Sequence, residues 1–319
     1  MNQNKAKSSF LLFITASIWG LSFVSQSKGM EYMHPFTFNG ARCLIGALVL
    51  FLYILAAGKV FGKKAQTIDW KLTLRAGFWC GMALTVASMF QQYGIAYTSV
   101  GKAGFITTLY IIFVPVAGIF FRKKVAPVVW LAAMIAAVGM YLLCMTEGFS
   151  VGKGDILVFI CAIFFTMHIM VIDYYSPKTD SVIVSCIQFT VCGVICSIGA
   201  LIWGAPQVSQ LTSGMGTLLY AGVMSCGVAY TLQIVGQKGV NPTVAALILS
   251  LESVVATVSG WIAYKIGFLT VDQSLTGRQI AGCVIVFAAV VLVQLPPEWF
   301  AGKARRAVLK NETEENKCA

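Results

Sequence analysis

Charged side chains are scarce in this sequence. Only 11% of the 319 residues are Asp, Glu, Lys or Arg, whereas an ordinary soluble domain contains about 25%. With so few charges the chain could not cover a water-exposed surface, and a soluble protein is therefore excluded. Disorder is excluded as well, because 58% of the residues are apolar and disordered chains contain few apolar residues.

Histidine and several catalytic or metal-binding motifs are also scarce or missing. The chain has two histidines and no H-E-x-x-H, C-x-x-C or G-x-x-x-x-G-K-[ST], which argues against a zinc peptidase, a dithiol or metal-binding cysteine pair, and ATP-driven transport within this chain. We therefore predict neither a metal ion nor a cofactor. Nucleic acid is not expected as a partner, because the cations lie in short loops and the C-terminal tail, with no face on which they alternate with aromatic residues.

Long apolar runs fill most of the remaining sequence. A membrane-spanning helix needs roughly 20 mostly apolar residues, and the runs are too long and too evenly apolar for the alternating strands of a β-barrel. We predict an all-α integral membrane protein with ten transmembrane helices. The predicted spans are Ser9–Ser27, Pro35–Ala57, Leu72–Tyr97, Ala103–Phe121, Pro127–Met145, Asp155–Tyr174, Ser181–Trp203, Gly216–Gly236, Pro242–Tyr264 and Gly277–Leu295.

Positive charges are distributed unevenly between the loops that join these spans. If the N-terminus lies in the cytoplasm, 17 Lys and Arg residues fall on the cytoplasmic side and 5 on the opposite side, with Arg42 inside a span. Cytoplasmic loops of membrane proteins carry an excess of Lys and Arg. The distribution therefore predicts a multi-pass protein of the bacterial cytoplasmic membrane with both termini in the cytoplasm.

The two halves of the sequence resemble each other. A shift of 146 places Leu11–Ala16 on Leu157–Ala162 with four of six residues identical, and a shift of 142 places Gln91 on Gln233. Chance similarity between apolar segments is the alternative explanation. A unit of five helices has an odd number of spans, so its two copies would insert in opposite directions. They would form an inverted pair, an arrangement found in many transporters.

This repeat predicts four segments along the chain. Residues 1–8 form a cytoplasmic N-terminal segment, 9–148 the first five-helix repeat, 149–296 the second five-helix repeat, and 297–319 a cytoplasmic C-terminal tail. The fifth and tenth spans are rich in Ala and carry few polar residues, which is typical of helices that pack closely. The sequence leaves open whether these helices also support a homodimer.

Short motifs in five of the spans resemble those of one transporter family. They are Trp19–Phe23; Pro35–Asn39 with Arg42; Gly101–Phe105 with Tyr110 and Val114-Pro115; Gly154-Asp155 with His168, Asp173 and Ser176-Pro177; and Pro242-Thr243 with Ser250–Val254. On these residues the chain resembles a bacterial EamA-type member of the drug/metabolite transporter superfamily, from about Phe10 to Leu295. The resemblance implies a ten-helix fold that moves small organic solutes, often outward. It implies no single substrate, and an amino acid or a derivative is the first expectation.

The sequence departs from this family at one turn. Members often carry a Gly-Glu turn soon after the ninth span, whereas this chain reads Ala263–Leu269 there and has no acid before Asp272. We therefore assign no role to an acidic residue at that turn.

Two ionisable residues inside predicted spans are the first candidates for a site. A charged residue at the centre of a spanning helix costs about 2.5–3.5 kcal/mol on insertion scales, so it usually faces a cavity or a partner. For Glu252 the functional hypothesis is a substrate-amine or proton site, and the alternative is a structural pair or cap between helices. Arg42 could bind a substrate carboxylate or snorkel towards the interface. The sequence leaves a direct pair between Arg42 and Glu252 open.

Other polar residues in the spans complete the candidate substrate-binding or coupling site. The repeat-equivalent Gln91 and Gln233 either line a two-sided cavity or join helices by hydrogen bonds. Tyr110 falls on Glu252 under the repeat, and His168 either relays protons or makes a structural hydrogen bond. The full candidate set is Trp19, Asn39, Arg42, Gln91, Gln92, Tyr110, His168, Gln233, Ser250 and Glu252.

These features together predict a secondary transporter that moves a small organic metabolite by alternating access. A channel or a lipid scramblase is the alternative, because duplicated antiparallel halves also occur in channels. A membrane enzyme is a third hypothesis, which would require a metal or nucleophile constellation. The expected partners of a transporter are a small-molecule solute and the lipid bilayer.

Overall fold

The described chain is built from helices. The structure is a computed structural model, and it describes residues 3–58, 68–120, 127–144, 152–270 and 272–294. The prediction of an all-α chain is confirmed for these residues. The α-helices are α1 Gln3–Gly29, α2 Pro35–Ala56, α3 Trp70–Ile95, α4 Val100–Thr107, α5 Tyr110–Phe120, α6 Pro127–Cys144, α7 Lys153–Tyr175, α8 Ser181–Gly199, α9 Val208–Ser213, α10 Met215–Leu219, α11 Tyr230–Gln237, α12 Pro242–Leu249, α13 Leu251–Lys265 and α14 Gly277–Gln294.

Eight stretches of the described helices are long and apolar enough to cross a membrane. They are Lys5–Gly29, Pro35–Ala56, Trp70–Ile95, Val100–Phe120, Lys153–Lys178, Ser181–Gly204, Met215–Gln237 and Pro242–Lys265. Two shorter apolar helices, Pro127–Leu142 and Gly277–Leu292, correspond to the fifth and tenth predicted spans. The prediction of many apolar spans is therefore confirmed, and a count of ten depends on these two shorter helices.

Large apolar side chains cover the outside of the bundle, and polar ones lie inside it. Phe120 is 82% exposed and Leu201 is 76% exposed, whereas Gln92 and His168 are fully buried. This distribution is the reverse of the one in a soluble protein. It suits an apolar environment around the bundle, in which buried polar groups find their partners within the protein.

Side-chain caps fix where several helices begin. Ser99 Oγ accepts a hydrogen bond from the backbone of Lys102 at 3.4 Å ahead of α4, and Asn241 Oδ1 accepts one from the backbone of Thr243 at 3.0 Å ahead of α12. Ser and Asn are favoured at this position because their side chains satisfy a backbone N–H that has no partner within the helix. Ser99 and Asn241 differ in number by 142, so the fourth helix of each repeat begins at an equivalent cap.

The main helix contacts join the two halves of the chain. α2 packs against α8, α6 against α14, α3 against α7, and α1 against α11. The contacts are crosswise. The third helix of the first repeat, α3, contacts the first helix of the second repeat, α7, and α11 in the third helix of the second repeat contacts α1 of the first. A pair of units related by a two-fold axis produces this pattern.

Close glycine contacts show the same crosswise relation between individual residues. A Cβ on Gly94 in α3 would lie 2.4 Å from Val158 Cγ2 in α7, and a Cβ on Gly236 in α11 would lie 2.9 Å from Leu12 Cγ in α1. Gly94 and Gly236 differ by 142, and Leu12 and Val158 differ by 146, the two shifts of the sequence repeat. Only glycine permits helices to approach this closely at these points.

A π-helical segment absorbs a one-residue difference between the repeats. A Cβ on Gly81 would lie 2.7 Å from Val191 Cβ, and a Cβ on Gly222 would lie 2.7 Å from Ile45 Cβ. These contacts are again equivalent, but Gly81 and Gly222 differ by 141. The π-helical segment Tyr220–Ala229 begins here. Each π-helical hydrogen bond spans one residue more than an α-helical bond, so the segment accommodates the extra residue.

The fourth and ninth predicted spans are interrupted, although the sequence analysis read both as continuous. Thr108 Oγ1 donates to the carbonyl of Phe105 at 2.8 Å between α4 and α5. Ser250 Oγ donates to the carbonyl of Leu247 at 2.7 Å between α12 and α13. Local bonds of this kind compete with the helical hydrogen bonds. Thr108 and Ser250 are equivalent residues, 142 apart, so both repeats contain a discontinuous fourth helix.

Several predicted boundaries differ from the structure or fall outside it. α1 begins at Gln3, ahead of the predicted start of the first span at Ser9, so it includes most of the predicted N-terminal segment. The predicted tail, residues 297–319, and the predicted junction of the repeats near residue 148 lie outside the described residues.

Candidate functional site

A central cavity lies where the discontinuous helices of the two repeats meet. Helices of both repeats supply its walls, and the interruption of α4–α5 and that of α12–α13 both lie close to it. The lining residues are Trp19, Phe23, Gln26, Arg42, Gln91, Thr107, Tyr110, Phe165, Ile169, Ser225, Tyr230, Gln233 and Glu252. Thr107 and Tyr110 flank the first interruption and Glu252 follows the second, so each interruption lies beside polar residues of the cavity wall.

Tyr110 and Glu252 meet at this crossing. Tyr110 Oη donates a hydrogen bond to Glu252 Oε1 at 2.9 Å, and both residues are almost completely buried. The two residues differ in number by 142, the shift of the repeat. A residue contacts its own repeat equivalent only near the axis that relates the repeats. The carboxylate therefore lies close to that axis.

Arg42 supplies the positive charge of the cavity. It is 4% exposed, and its Cζ atom lies 5.6 Å from the centre of the Phe38 ring. Within the described ranges it makes no salt bridge, and its Nε has no hydrogen-bond partner. The pair between Arg42 and Glu252 that the sequence left open is therefore not formed in this structure.

Arg42 and Glu252 are costly where they lie, because both are ionisable and buried. A buried ion without an opposite charge beside it costs several kcal/mol, and such a group persists where function requires it or where a ligand supplies the missing partner. Arg42 and Glu252 line one cavity without pairing. The site can therefore receive a carboxylate at one point and a cationic group at another.

Three further polar atoms at the cavity have no hydrogen-bond partner among the described residues. They are Trp19 Nε1, Gln26 Oε1 and Gln233 Oε1. Buried polar atoms are nearly always hydrogen-bonded in folded proteins. One donor and two acceptors are thus available to a polar solute, beside an aromatic wall in which the Trp19 and Tyr230 ring centres lie 4.5 Å apart.

The cavity is narrow in this structure. It leaves only about 20 Å³ for the centres of water molecules, which is room for one or two waters. An organic solute requires several times this space. Binding therefore requires the helices to separate.

The structure brings six of the ten predicted site residues to the cavity. These are Trp19, Arg42, Gln91, Tyr110, Gln233 and Glu252. Gln91 also donates from Nε2 to Thr107 Oγ1 at 3.2 Å, which joins α3 to α4. Gln91 therefore both lines the cavity and joins two helices, so the two alternatives given for it from the sequence are compatible.

Gln92 and His168 lie outside the cavity lining and make contacts between helices. Gln92 Nε2 donates to the carbonyl of Gln26 at 3.2 Å. His168 Nε2 lies 3.0 Å from Gln188 Oε1 on α8. This position agrees with the structural hydrogen bond that was the alternative for His168, and Gln92 likewise joins two helices.

Asn39 and Ser250 are also absent from the lining. Asn39 Nδ2 donates to the carbonyl of Ser88 at 3.0 Å and joins α2 to α3. Ser250 bonds to the backbone at the interruption of its own helix. Ser250 thus positions the neighbouring Glu252 through the backbone.

Sequence reasoning missed four polar residues at the cavity. These are Gln26, Thr107, Ser225 and Tyr230. Gln26 lies near the end of a predicted span, where polar residues are common, and hydroxyl groups are frequent in spanning helices. Tyr230 falls on Ser88 under the shift of 142, so a search for polar residues repeated at equivalent positions could have found it.

One end of the bundle carries an ion pair between the repeats. Lys102 Nζ in α4 lies 2.6 Å from Asp155 Oδ2 in α7, and Asp155 Oδ1 accepts from Thr98 Oγ1 at 2.8 Å. The equivalent residues of the other repeat are Ser9 and Val244, which cannot form an ion pair. The two ends of the bundle therefore differ in how they are held together.

The turn after α13 places no described acidic residue at the cavity. Asp272 lies outside the spans, and hydrogen bonds from the side chain and backbone of Ser274 lower the pKa of its carboxyl group. In the described part of the chain, no group of three or more His, Cys, Asp or Glu side chains is arranged to hold a metal ion.

Comparison with known proteins places this architecture in a family. The chain matches the model of the EamA-like transporter family twice, over residues 6–145 and 152–295. The chain belongs to the EamA-like transporter family. The resemblance read from the sequence motifs is therefore confirmed, and each match contains one discontinuous helix and half of the cavity wall.

One curated protein and one solved structure are similar to this chain. The chain is 29% identical over 291 residues to an uncharacterized transporter of Archaeoglobus fulgidus, and the match covers 89% of this chain and 84% of that protein. A solved crystal structure superposes with a TM-score of 0.70 at 16% identity, covering 90% of this chain and 98% of the other. This second likeness concerns the fold alone. The chain is thus a multi-pass membrane protein of a transporter family.

Proposed function

We propose that this EamA-like protein is a secondary transporter that carries a small organic metabolite across the cytoplasmic membrane by alternating access. The observation that carries the proposal is the narrow central cavity in which Arg42 and Glu252 are buried without pairing with each other. A carrier must enclose its solute and then release it. A narrow cavity lined by an arginine and a glutamate that do not pair with each other is suited to that task.

The two charges suggest the chemistry of the solute. A guanidinium group binds a carboxylate through two parallel hydrogen bonds, and a carboxylate next to aromatic rings suits an ammonium group. An amino acid or a derivative carries both groups on a short framework. We therefore propose a zwitterionic metabolite of this kind as the cargo.

We further propose ten transmembrane helices arranged as two inverted five-helix repeats. The crosswise glycine contacts and the contact between Tyr110 and Glu252 support a two-fold relation between the repeats. With α6 and α14 counted as spans, each repeat crosses the membrane five times, so the second copy has the opposite orientation. The excess of Lys and Arg in one set of loops supports cytoplasmic termini.

A counterflow experiment tests the function. Purified protein in liposomes loaded with unlabelled amino acid should take up labelled amino acid with saturable kinetics. Non-saturable conductance would instead indicate a channel, and movement of labelled phospholipid between leaflets would indicate a scramblase. Chemical conversion of the solute would indicate an enzyme.

Glu252→Gln is the decisive variant in this assay. We expect it to abolish or uncouple transport while the protein still inserts, because Glu252 is the one carboxylate among the described residues that line the cavity. Asp272→Asn is the matched control, since that carboxylate is exposed in a turn after α13. Counterflow by Glu252→Gln with unchanged kinetics and pH dependence would remove Glu252 from the mechanism.

A further inference from the structure

The central cavity is lined largely by repeat-equivalent residues. Its lining includes four pairs of residues that differ in number by 142 or 146, the two shifts of the sequence repeat. The pairs are Trp19 and Phe165, Phe23 and Ile169, Gln91 and Gln233, and Tyr110 and Glu252. Both members of each pair face the same space, so the axis that relates the repeats passes close to the cavity.

Arg42 lines this cavity without its repeat equivalent. That equivalent is Gln188 in α8, 146 positions later in the chain. Gln188 is fully buried and does not line the cavity. The cavity wall is therefore asymmetric at this point, because α2 presents its polar side chain to the cavity whereas α8 holds the equivalent side chain away from it.

The side chain of Gln188 has an unused hydrogen-bond donor. Its Oε1 lies 3.0 Å from His168 Nε2, but its Nε2 has no hydrogen-bond partner among the described residues. Buried polar atoms are nearly always hydrogen-bonded in folded proteins, and an unpaired buried donor is costly. The amide of Gln188 therefore needs a partner that this conformation does not supply.

Alternating access provides a second conformation in which the partner can be met. In a carrier with inverted repeats, one repeat rocks against the other around a fixed site. When the repeats are related by a two-fold axis, the second access state follows from the first if the two repeats exchange conformations. Each residue then takes the surroundings of its repeat equivalent, and Gln188 faces the cavity from α8 as Arg42 does from α2 in this structure.

We propose that Gln188 is a solute-binding residue of the second access state, in which its Nε2 donates a hydrogen bond to the carboxylate of the solute. This inference rests on the proposed function, because it requires both a carrier cycle and a solute with a carboxylate. It extends the binding site to a residue that lies outside the cavity in this structure.

Cysteine labelling tests the proposal without knowledge of the solute. Gln188→Cys and Ser185→Cys are introduced separately into a variant whose ten native cysteines are removed, and membranes are treated with a small water-soluble methanethiosulfonate. Both residues lie on α8 and are fully buried, but Asn39, the repeat equivalent of Ser185, does not line the cavity. We expect Gln188→Cys to be labelled and Ser185→Cys to remain unlabelled. No labelling of Gln188→Cys, or equal labelling of both variants, would overturn the proposal.

Counterflow by the protein with its native cysteines tests the role in binding. Gln188→Leu should raise the half-saturation concentration about tenfold, since loss of a hydrogen bond to a charged group changes affinity by about this factor. Gln237→Leu is the matched control. Gln237 is also a buried glutamine, its Nε2 donates to the Ile169 carbonyl at 3.4 Å, and its repeat equivalent, Ile95, does not line the cavity.

The outcomes separate this inference from the proposed function. Saturable counterflow by the wild type with an unchanged half-saturation concentration in Gln188→Leu, or with an equal rise in Gln237→Leu, would overturn the role of Gln188 and leave the carrier intact. A lower melting temperature as the sole effect of Gln188→Leu would assign Gln188 a structural role. Absence of counterflow by the wild type would instead contradict the proposed function.

Discussion

Replacing Tyr110 by Phe removes one hydroxyl group from the centre of the cavity and leaves the ring in place. Tyr110 Oη donates the 2.9 Å hydrogen bond to Glu252 Oε1. A hydrogen bond to a charged group contributes about 1.5–3 kcal/mol, and about 1.4 kcal/mol corresponds to a tenfold change in affinity. If this bond positions the carboxylate for the solute, Tyr110→Phe should raise the half-saturation concentration about 10-fold to 100-fold.

The assay is counterflow in liposomes across a range of solute concentrations. Tyr220→Phe is the matched control, because it removes a hydroxyl that donates to the Ile18 carbonyl at 3.2 Å and does not line the cavity. The reasoning is refuted if Tyr110→Phe transports with the wild-type half-saturation concentration, or if Tyr220→Phe raises it by the same factor. A thermal melt of each variant in detergent shows whether folding has changed.

The remaining predictions concern packing, the ends of the bundle and the solute. Gly94→Ala should lower the free energy of unfolding by about 1–3 kcal/mol, because the added methyl group overpacks against α7. Thermal melts measure this loss. Gly216→Ala is the control and should melt like the wild type, because a Cβ at Gly216 has no neighbour within 4 Å. Lys102→Gln should lower the free energy of unfolding by about 1 kcal/mol or less, and it should speed labelling, from that end of the bundle, of a cysteine introduced into the cavity. The same effect in Lys28→Gln, which breaks a pair within one segment, would contradict this. Arg42→Lys keeps the charge but loses the planar donor pair, so carboxylate solutes should bind about tenfold more weakly, and unchanged affinity would assign Arg42 a structural role.

The repeat was the part of the fold that the sequence revealed most directly. The shifts of 142 and 146 between halves reappear as contacts between equivalent residues, such as Gly94 on Val158 and Gly236 on Leu12. Comparison of the two halves could detect these shifts because close helix packing requires glycine at both Gly94 and Gly236. The contact of Tyr110 with Glu252 follows from the same shift, once the two-fold axis is known.

The interruptions of the fourth and ninth helices could not be predicted from the sequence. Neither Thr108 nor Ser250 is a Gly or Pro, and a hydroxyl group in an apolar span can equally bond within an unbroken helix. The extra residue within Tyr220–Ala229 could not be predicted either. It changes the shift between the repeats only from 141 to 142, and similar apolar residues on both sides conceal so small a change. Both features lie next to the cavity.

The candidate site was predicted in part, and the reason lies in side-chain direction. Composition identified which polar residues are buried, but helix rotation determines which of them face the cavity. Gln91 and Gln92 are adjacent in sequence, yet only Gln91 lines the cavity. Whether Arg42 and Glu252 pair depends on where the bundle places α2 relative to α13, which no local pattern records.

The most direct test of the central claim is the sidedness of two equivalent residues, Lys7 and Lys153. They differ by 146 and are both exposed at the start of their helices. Each is replaced by Cys in a variant whose ten native cysteines are removed, and intact cells are treated with a membrane-impermeant maleimide. If the repeats are inverted, Lys153→Cys is labelled in intact cells and Lys7→Cys only after permeabilisation. Labelling of both residues from the same side would contradict the inverted arrangement and the alternating access that depends on it.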